Sequence, residues 1–255
     1  MRRFQLFELE DQWWFPATIR DLATDYLQFI QERFRMDRAM TPLVRRALDE
    51  GKATRIVDLC SGGSGPLLGV VTNLAAEGRS VRATLTDLFP NLPAFEKIAA
   101  ASGGLVTYER EPVDARRVPP ALAGLRTIFN AFHHLRPEDA RAVLHAAAAA
   151  QQPIAILEIS ERSLRTLPVL LSPLFVLIAT PFMRPFTFAR FFWTYIVPLV
   201  PFTVLWDGVV SQLRAYTVAE LQGLAAGSAP MRWEAGQVPI ARGNGRLTYL
   251  IGFAP

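Results

Sequence analysis

Cysteine is nearly absent from this chain: Cys60 stands alone among 255 residues. One thiol excludes an intrachain disulfide framework and any cysteine-rich zinc site. Lysine is almost as scarce, with Lys52 and Lys97 the only two among 27 basic residues. The remaining cations are arginines, scattered rather than striped. A nucleic-acid partner is therefore not expected despite a net charge of +4. Histidine occurs three times, and no metal site is expected. The chain lacks internal repeats and long disordered linkers, and the alanine run at 146–150 reads as helix. Acids follow the opening Met1-Arg2-Arg3-Phe4-Gln5 at once, so no signal peptide is expected. The expected location is the cytoplasm, including its membrane surface.

What the chain has is apolar material, 51% of its residues, enough for a large core plus a cap. The most informative stretch is Ile56-Val57-Asp58-Leu59-Cys60-Ser61-Gly62-Gly63-Ser64-Gly65-Pro66. A short apolar run ends in an acid, then a glycine-rich turn, then apolar residues at helical spacing. This pattern predicts the first strand–loop–helix crossover of a doubly wound nucleotide-binding sheet. A second strand at 81–86 ends in Asp87, 22 residues beyond Gly65. That is close to the roughly 20-residue gap expected for an acid that accepts ribose hydroxyls. Further strands are predicted at 106–110, leading to Asp114, at 126–132, leading into His133-His134, and at 153–158, ending in Glu158.

These motifs, in this order, resemble the class I S-adenosylmethionine-dependent methyltransferases. The resemblance covers residues 50–160 well, and 214–253 by topology. It implies an α/β, Rossmann-like, doubly wound seven-stranded sheet with an N-terminal helical lid and an apolar helical insert after strand five. The boundaries expected are 1–50 for the lid, 51–160 with 214–255 for the cofactor-binding core, and 161–213 for the insert. S-adenosyl-L-methionine is the implied cofactor. Its implied contacts are Asp58, Cys60, Ser61, Gly62 and Gly63 at the first loop, and Asp87 and Leu88 after strand two. Asp114 and Ala115 follow strand three, and Asn130, Ala131 and Phe132 follow strand four. Cys60 and Ser64 stand where family members often carry glycines, and small residues fill every slot. Asp87 and Asp114 also read as helix N-caps or turn residues. Cys60 reads as a loop filler, since nothing nearby in sequence lowers its pKa.

Before the core, Pro16 opens a helix to about Met36, with Ile19, Leu22, Tyr26, Phe29 and Phe34 near one face. Thr41-Pro42 predicts the start of a second helix and Gly51 its stop. By the resemblance, Trp13, Trp14 and Phe15 line the substrate pocket and Tyr26 faces the cofactor. The plainer alternative is that they staple the first helix to the core. After the insert, Thr217 and Glu220 form a capping-box pattern. Strands at 231–238 and 246–253 flank Gly243-Asn244-Gly245, a hairpin turn.

The insert carries no charge over the 18 residues 166–183 or the 16 residues 191–206. Five prolines interrupt these runs and a sixth, Pro185, lies between them, and a transmembrane helix needs roughly 20 apolar residues. The insert therefore reads as a helical cap over an apolar cavity, as a monotopic membrane patch, or as a true span. An apolar segment this large is also compatible with a homodimer interface. It ends in a polar cluster in which Asp207 and Ser211 could orient a substrate hydroxyl, with Arg214 a partner for Asp207. The alternative is an Asp–Arg pair that anchors the cap.

The function read from these residues is methyl transfer to a hydrophobic small molecule of polyketide, aromatic, quinone or isoprenoid type. His133 or His134 is the expected base, and Asp207 a weaker candidate. Two other classes stay open: a non-catalytic cofactor-binding module that uses the insert as a membrane or partner surface, and an NAD-dependent oxidoreductase.

Overall fold

Short apolar runs that are buried on both faces make the middle of a parallel sheet, and β1 (Arg55–Asp58), β4 (Leu125–Phe129) and β5 (Ile154–Glu158) are such runs. With β2 (Arg82–Leu85), β3 (Val106–Tyr108), β6 (Arg232–Pro239) and β7 (Arg246–Phe253) they form one seven-stranded sheet in the order β3-β2-β1-β4-β5-β7-β6. The first five strands are parallel. β7 runs antiparallel to both β5 and β6. The strand order reverses between β1 and β4, and in open α/β sheets ligands bind beyond the carboxyl ends at such a switch point.

The helices are α1 (Ala17–Arg33), α2 (Met36–Glu50), α3 (Leu67–Ala76), α4 (Leu92–Ala101), α5 (Pro137–Ala149), α6 (Ser172–Ala179), α7 (Phe188–Phe191), α8 (Leu199–Arg214) and α9 (Val218–Ala225). A π-helical turn, Phe192–Ile196, follows α7. This computed structural model describes every residue except 1, 64, 229, 241–244 and 254–255, together with all side chains of the described residues apart from those of 164–166. Most of the Gly243-Asn244-Gly245 turn thus lies outside the described residues. The hairpin it was read from is present as β6 and β7.

The chain divides into two compact units, Arg35–Ile159 with Tyr216–Pro255, and Met1–Phe34 with Ser160–Ala215. In the sheet unit the strands' two faces carry separate cores, as a period of two requires. Ile56 and Leu85 pack with Val44, Leu48, Leu67, Leu74 and Phe95 from α2, α3 and α4. Val57 and Ile128 pack with Val143, Leu144, Leu221 and Leu224 from α5 and α9. In the helical unit, Ile19, Leu22 and Tyr26 of α1 pack with Val176 and Ala179 of α6 and Val200 and Val204 of α8.

Two expectations are corrected. The boundary near residue 50 falls at Phe34–Arg35 instead, because the buried face of α2 (Met40, Val44, Ala47, Leu48) belongs to the sheet core. Thr41-Pro42 does not begin a helix, for Pro42 lies inside α2. Proline there forfeits an N–H bond, yet the Thr41 hydroxyl donates to the Asp37 carbonyl at 2.8 Å and the helix continues. Tertiary packing outweighs the local signal.

Candidate functional site

The loop after β1 is built on a buried carboxyl. Asp58 accepts hydrogen bonds from the Thr127 hydroxyl and the Ser61 hydroxyl, each at 2.7 Å. Burial pushes its pKa up to about 7, against the opposing pull of those two bonds. Both oxygens thus serve the protein, and Asp58 shapes the loop from beneath. Ser61 adds a backbone bond to the Thr86 carbonyl at 3.0 Å, tying the loop to the end of β2. Cys60 turns the chain at φ +56°, and burial beside Asp87 and Asp58 raises its thiol to about 12. It is an inert filler.

Gly62 follows at φ +51°, and a Cβ built there would meet nothing within 4 Å. Its N–H donates to Asp87 Oδ2 at 2.8 Å, and the Phe89 N–H donates to Asp87 Oδ1 at 2.8 Å. The acid after β2 therefore latches the glycine loop from the side, while Leu88 and Phe89 stand exposed. The Val113 N–H donates to the Asp87 carbonyl at 2.8 Å, which brings the segment carrying Asp114 alongside. Asp114 is chelated by Arg116 through both carboxylate oxygens, and Arg116 also reaches Asp139 at 2.6 Å. These bonds lower the Asp114 pKa, and its neighbour Ala115 is buried.

At the end of β4, Asn130 adopts φ +51°. Its Oδ1 accepts the Ile159 N–H at 2.8 Å, and its buried Nδ2 has no acceptor among the described residues. Phe132 has its ring fully buried against Tyr216, 5.7 Å between centroids. Its backbone N–H donates to Glu158 Oε1 at 2.7 Å. The other oxygen, Glu158 Oε2, lies 2.5 Å from His133 Nδ1, with both side chains buried. An Nδ1–H donated to that carboxylate would leave Nε2 as the ring's acceptor nitrogen. The His134 ring lies 4.4 Å from that of His133. Glu158 was not among the residues expected to act. Its signal was available, since an acid closing a parallel strand at the ligand edge is the same cue that marked Asp58 and Asp87.

The helical unit places its expected residues differently. Asp207 does not pair with Arg214. It accepts the backbone N–H groups of Leu9 and Glu10 at 2.6 and 3.0 Å, and burial raises its pKa to about 6. Arg214 instead meets Glu8 at 3.1 Å and Asp11 at 2.8 Å and donates to the Leu6 carbonyl. Ser211 donates to Glu8 at 3.0 Å. All three residues anchor the N-terminal segment, which removes Asp207 as a base and Ser211 and Arg214 as substrate ligands. Trp13 is 92% exposed and Trp14 53%, whereas Tyr26 is buried in the helical core with Phe15 packed against it. Trp14 meets Phe15 edge to face, 6.2 Å between centroids, and Trp13 alone stands apart from the cluster. Burial lifts the Tyr26 hydroxyl to about 12, so it stays neutral.

Comparison with known proteins gives the fold its relatives. The structure is similar to SibL, an S-adenosylmethionine-dependent methyltransferase in its apo form, at 15% identity and a TM-score of 0.52, over 89% of this chain and 58% of that one. It is similar to NcsB1, an O-methyltransferase from neocarzinostatin biosynthesis solved with S-adenosylmethionine and 2-hydroxy-5-methyl naphthoic acid, at 16% identity and a TM-score of 0.52, over 94% of this chain and 59% of that one. The methyltransferase domain of bacterial CtHen1-C matches at 10% identity and a TM-score of 0.52, over 87% of this chain and 100% of that one. The chain thus spans less than three-fifths of the first two and the whole of the third. No family model matches, and no curated protein matches by sequence. The architecture is the Rossmann-like fold of class I methyltransferases.

Proposed function

We propose that this chain is an S-adenosylmethionine-dependent methyltransferase acting on a lipophilic small molecule, with His133 as the base. The observation that carries the reading is the arrangement at the carboxyl edge of the sheet unit. A glycine loop latched to Asp87 stands after β1 and β2, and a buried His133–Glu158 pair stands after β4 and β5. The residues fit such a cofactor. Gly62 keeps open the space a side chain would fill, and the Asn130 amide offers a buried donor with no acceptor among the described residues. Asp87, tied to one N–H through each oxygen, keeps lone pairs for ribose hydroxyls.

When bound, the cofactor supplies a methyl group already activated on a sulfonium. The chain's own tasks are then alignment, exclusion of water and removal of one proton. Gly62, Gly63 and Asp87 would hold the cofactor, with Asp114 and Asn130 beside them. His133 Nε2 would accept the proton of an acceptor hydroxyl, and Glu158 would stabilise the imidazolium through Nδ1. The acceptor class rests on the apolar composition of the helical unit and on the naphthoic acid bound by NcsB1.

Calorimetric titration with S-adenosylhomocysteine, beside an NAD control, tests the cofactor. We expect micromolar binding that Asp87→Ala weakens at least tenfold, about 1.4 kcal/mol. Binding of NAD alone, or of neither ligand, would remove the reading. A turnover screen over lipophilic phenols and hydroxyaryl acids then tests the base. His133→Ala should lower turnover by roughly 100-fold or more while leaving S-adenosylhomocysteine affinity within twofold. Tight cofactor binding with no turnover on any acceptor would favour a non-catalytic module.

A further inference from the structure

The helical unit presents apolar side chains to solvent in a pattern that a soluble cap does not require. Along the helical stretch from Leu167 to Phe182, Leu167, Leu170, Leu171, Leu174, Ile178 and Phe182 are each 53–71% exposed. Their spacing is that of one helical stripe. The inward stripe of the same stretch, Val176 and Ala179, is separately buried in the unit's core. This helix is therefore apolar on both faces, and only one face has a protein partner. A second exposed series follows at Phe188 (80%), Phe191, Tyr195, Ile196, Leu199 and Phe202. Between the two series lies a turn with Phe186 at 46% exposure and an exposed Arg184.

Charge selects the occupant. From residue 162 to residue 206 there is no aspartate or glutamate, where the chain's average would place about four, and there are four arginines. Arg190 is buried on Asp25, and Arg162 is buried too. The side chain of Arg165 is not among those described, and Arg184 lies on the surface between Phe182 and Phe186 in sequence. An acid-free, aromatic-rich apolar face with a cation at its turn matches an anionic lipid surface, whose headgroups attract arginine and whose boundary region takes Phe and Leu. No single helix among the described residues is long and apolar enough to cross a membrane. The one pair long and apolar enough together, Phe188–Ile196 and Leu199–Arg214, is bent by 71°, the form of a broken or re-entrant segment.

We infer that the α6–α7 region is a monotopic membrane-binding surface that seats Leu174, Ile178, Phe182, Phe186 and Phe188 in the headgroup–acyl boundary of an anionic bilayer. The inference does not depend on methyl transfer.

Vesicle flotation of the full chain tests it, using phosphatidylcholine vesicles with and without about 30% phosphatidylglycerol; the fraction is a choice of probe suited to a surface that responds to anionic lipid. We expect the protein to float with the anionic vesicles, and to float less well as salt is raised. Phe182→Asp/Phe188→Asp should weaken partitioning at least tenfold on both lipids. Arg184→Glu should weaken it on anionic vesicles alone. Both phenylalanines are mostly exposed, and a circular dichroism spectrum matching the parent chain confirms that the variant is folded. Wild-type protein that stays with neither vesicle overturns the inference. So does partitioning indifferent to Phe182→Asp/Phe188→Asp, or a dimer in light scattering that those changes dissociate while lipid binding is absent. That last outcome would assign the face to a second copy of the chain.

Discussion

Replacing Asp58 by asparagine should stabilise the protein at neutral pH and leave it nearly unchanged in acid. Burial holds the Asp58 carboxyl at about 7, roughly three pH units above the usual value of about 3.9 in an unfolded chain. A carboxyl that keeps its proton more tightly when folded contributes stability that is full below about pH 4. That contribution is lost as pH rises through 7, because the unfolded chain ionises first. Over that window the loss amounts to about 4 kcal/mol. Asparagine resembles the protonated acid in pairing one acceptor oxygen with a donor group, although its NH2 carries two N–H bonds where the acid has one O–H. Its oxygen can accept the Thr127 hydroxyl, and its amide can donate to Ser61, whose own proton has the Asp58 carbonyl at 3.0 Å as an alternative acceptor. Urea denaturation of both proteins from pH 4.5 to 8, followed by circular dichroism, should show a difference that grows in favour of Asp58→Asn as pH rises. A difference that stays flat across the range, or that grows in favour of aspartate, would refute the argument. Asp58→Ala serves as the control, since it leaves the buried Thr127 hydroxyl without its acceptor at a cost of about 1–3 kcal/mol, while Ser61 keeps the carbonyl of residue 58.

Three other outcomes follow from the geometry. Glu158→Gln should lower kcat and move the acidic limb of the pH–rate profile, the limb set by protonation of a general base, while leaving KM and S-adenosylhomocysteine affinity nearly unchanged, if Glu158 acts through the His133 it touches; an unshifted profile would assign it a packing role only. Gly69→Ala should lower the thermal midpoint by several degrees, because the new Cβ would sit 2.7 Å from Asp37 Cβ. An overpacking cost of about 1–3 kcal/mol outweighs a helix-propensity gain of about 1, and a raised midpoint would show that α2 and α3 can separate cheaply. Arg214→Met removes the cation shared by Glu8, Asp11 and the Leu6 carbonyl. It should cost about 3 kcal/mol and make residues before Pro16 susceptible to limited proteolysis, whereas unchanged protease resistance would mean that Asp207 alone holds the segment.

The sheet was legible because its central strands are buried on both faces and so appear as short, mainly apolar runs, broken only in β4 by Arg126 and Thr127, each ending in an acid or an amide. The hairpin of β6 and β7 was legible from its flanking turn residues, and the capping box at Thr217 and Glu220 closes as its spacing predicts. What could not be read depends on contacts distant in sequence. Thr41-Pro42 looks like a helix start in any local window, and only the core face of α2 carries the helix through it. Nothing near Asp207 or Arg214 indicates that their partners lie close to 200 residues away, at Leu9, Glu10 and Asp11. The insert's apolarity was plain, but composition alone cannot separate a stripe that packs inward from one that faces out.

The same contrast decides which buried acids have a claim on chemistry. Asp58 and Asp207 both carry raised pKa values, and a perturbed carboxyl is a common pointer to a functional site. Here the pointer fails twice for the same reason. Each acid's oxygens are taken by groups of the chain itself: hydroxyls for Asp58, and backbone N–H groups for Asp207. Burial supplies the shift, and the hydrogen bonds show what the acid holds in place. Glu158 is buried too, yet one of its two oxygens meets a histidine nitrogen, Nδ1 of His133. The partner, rather than the perturbation, separates an acid that positions a base from an acid that positions a loop. On that ground the carboxyl edge of β4 and β5, not the polar end of the insert, is where a loss of turnover should map.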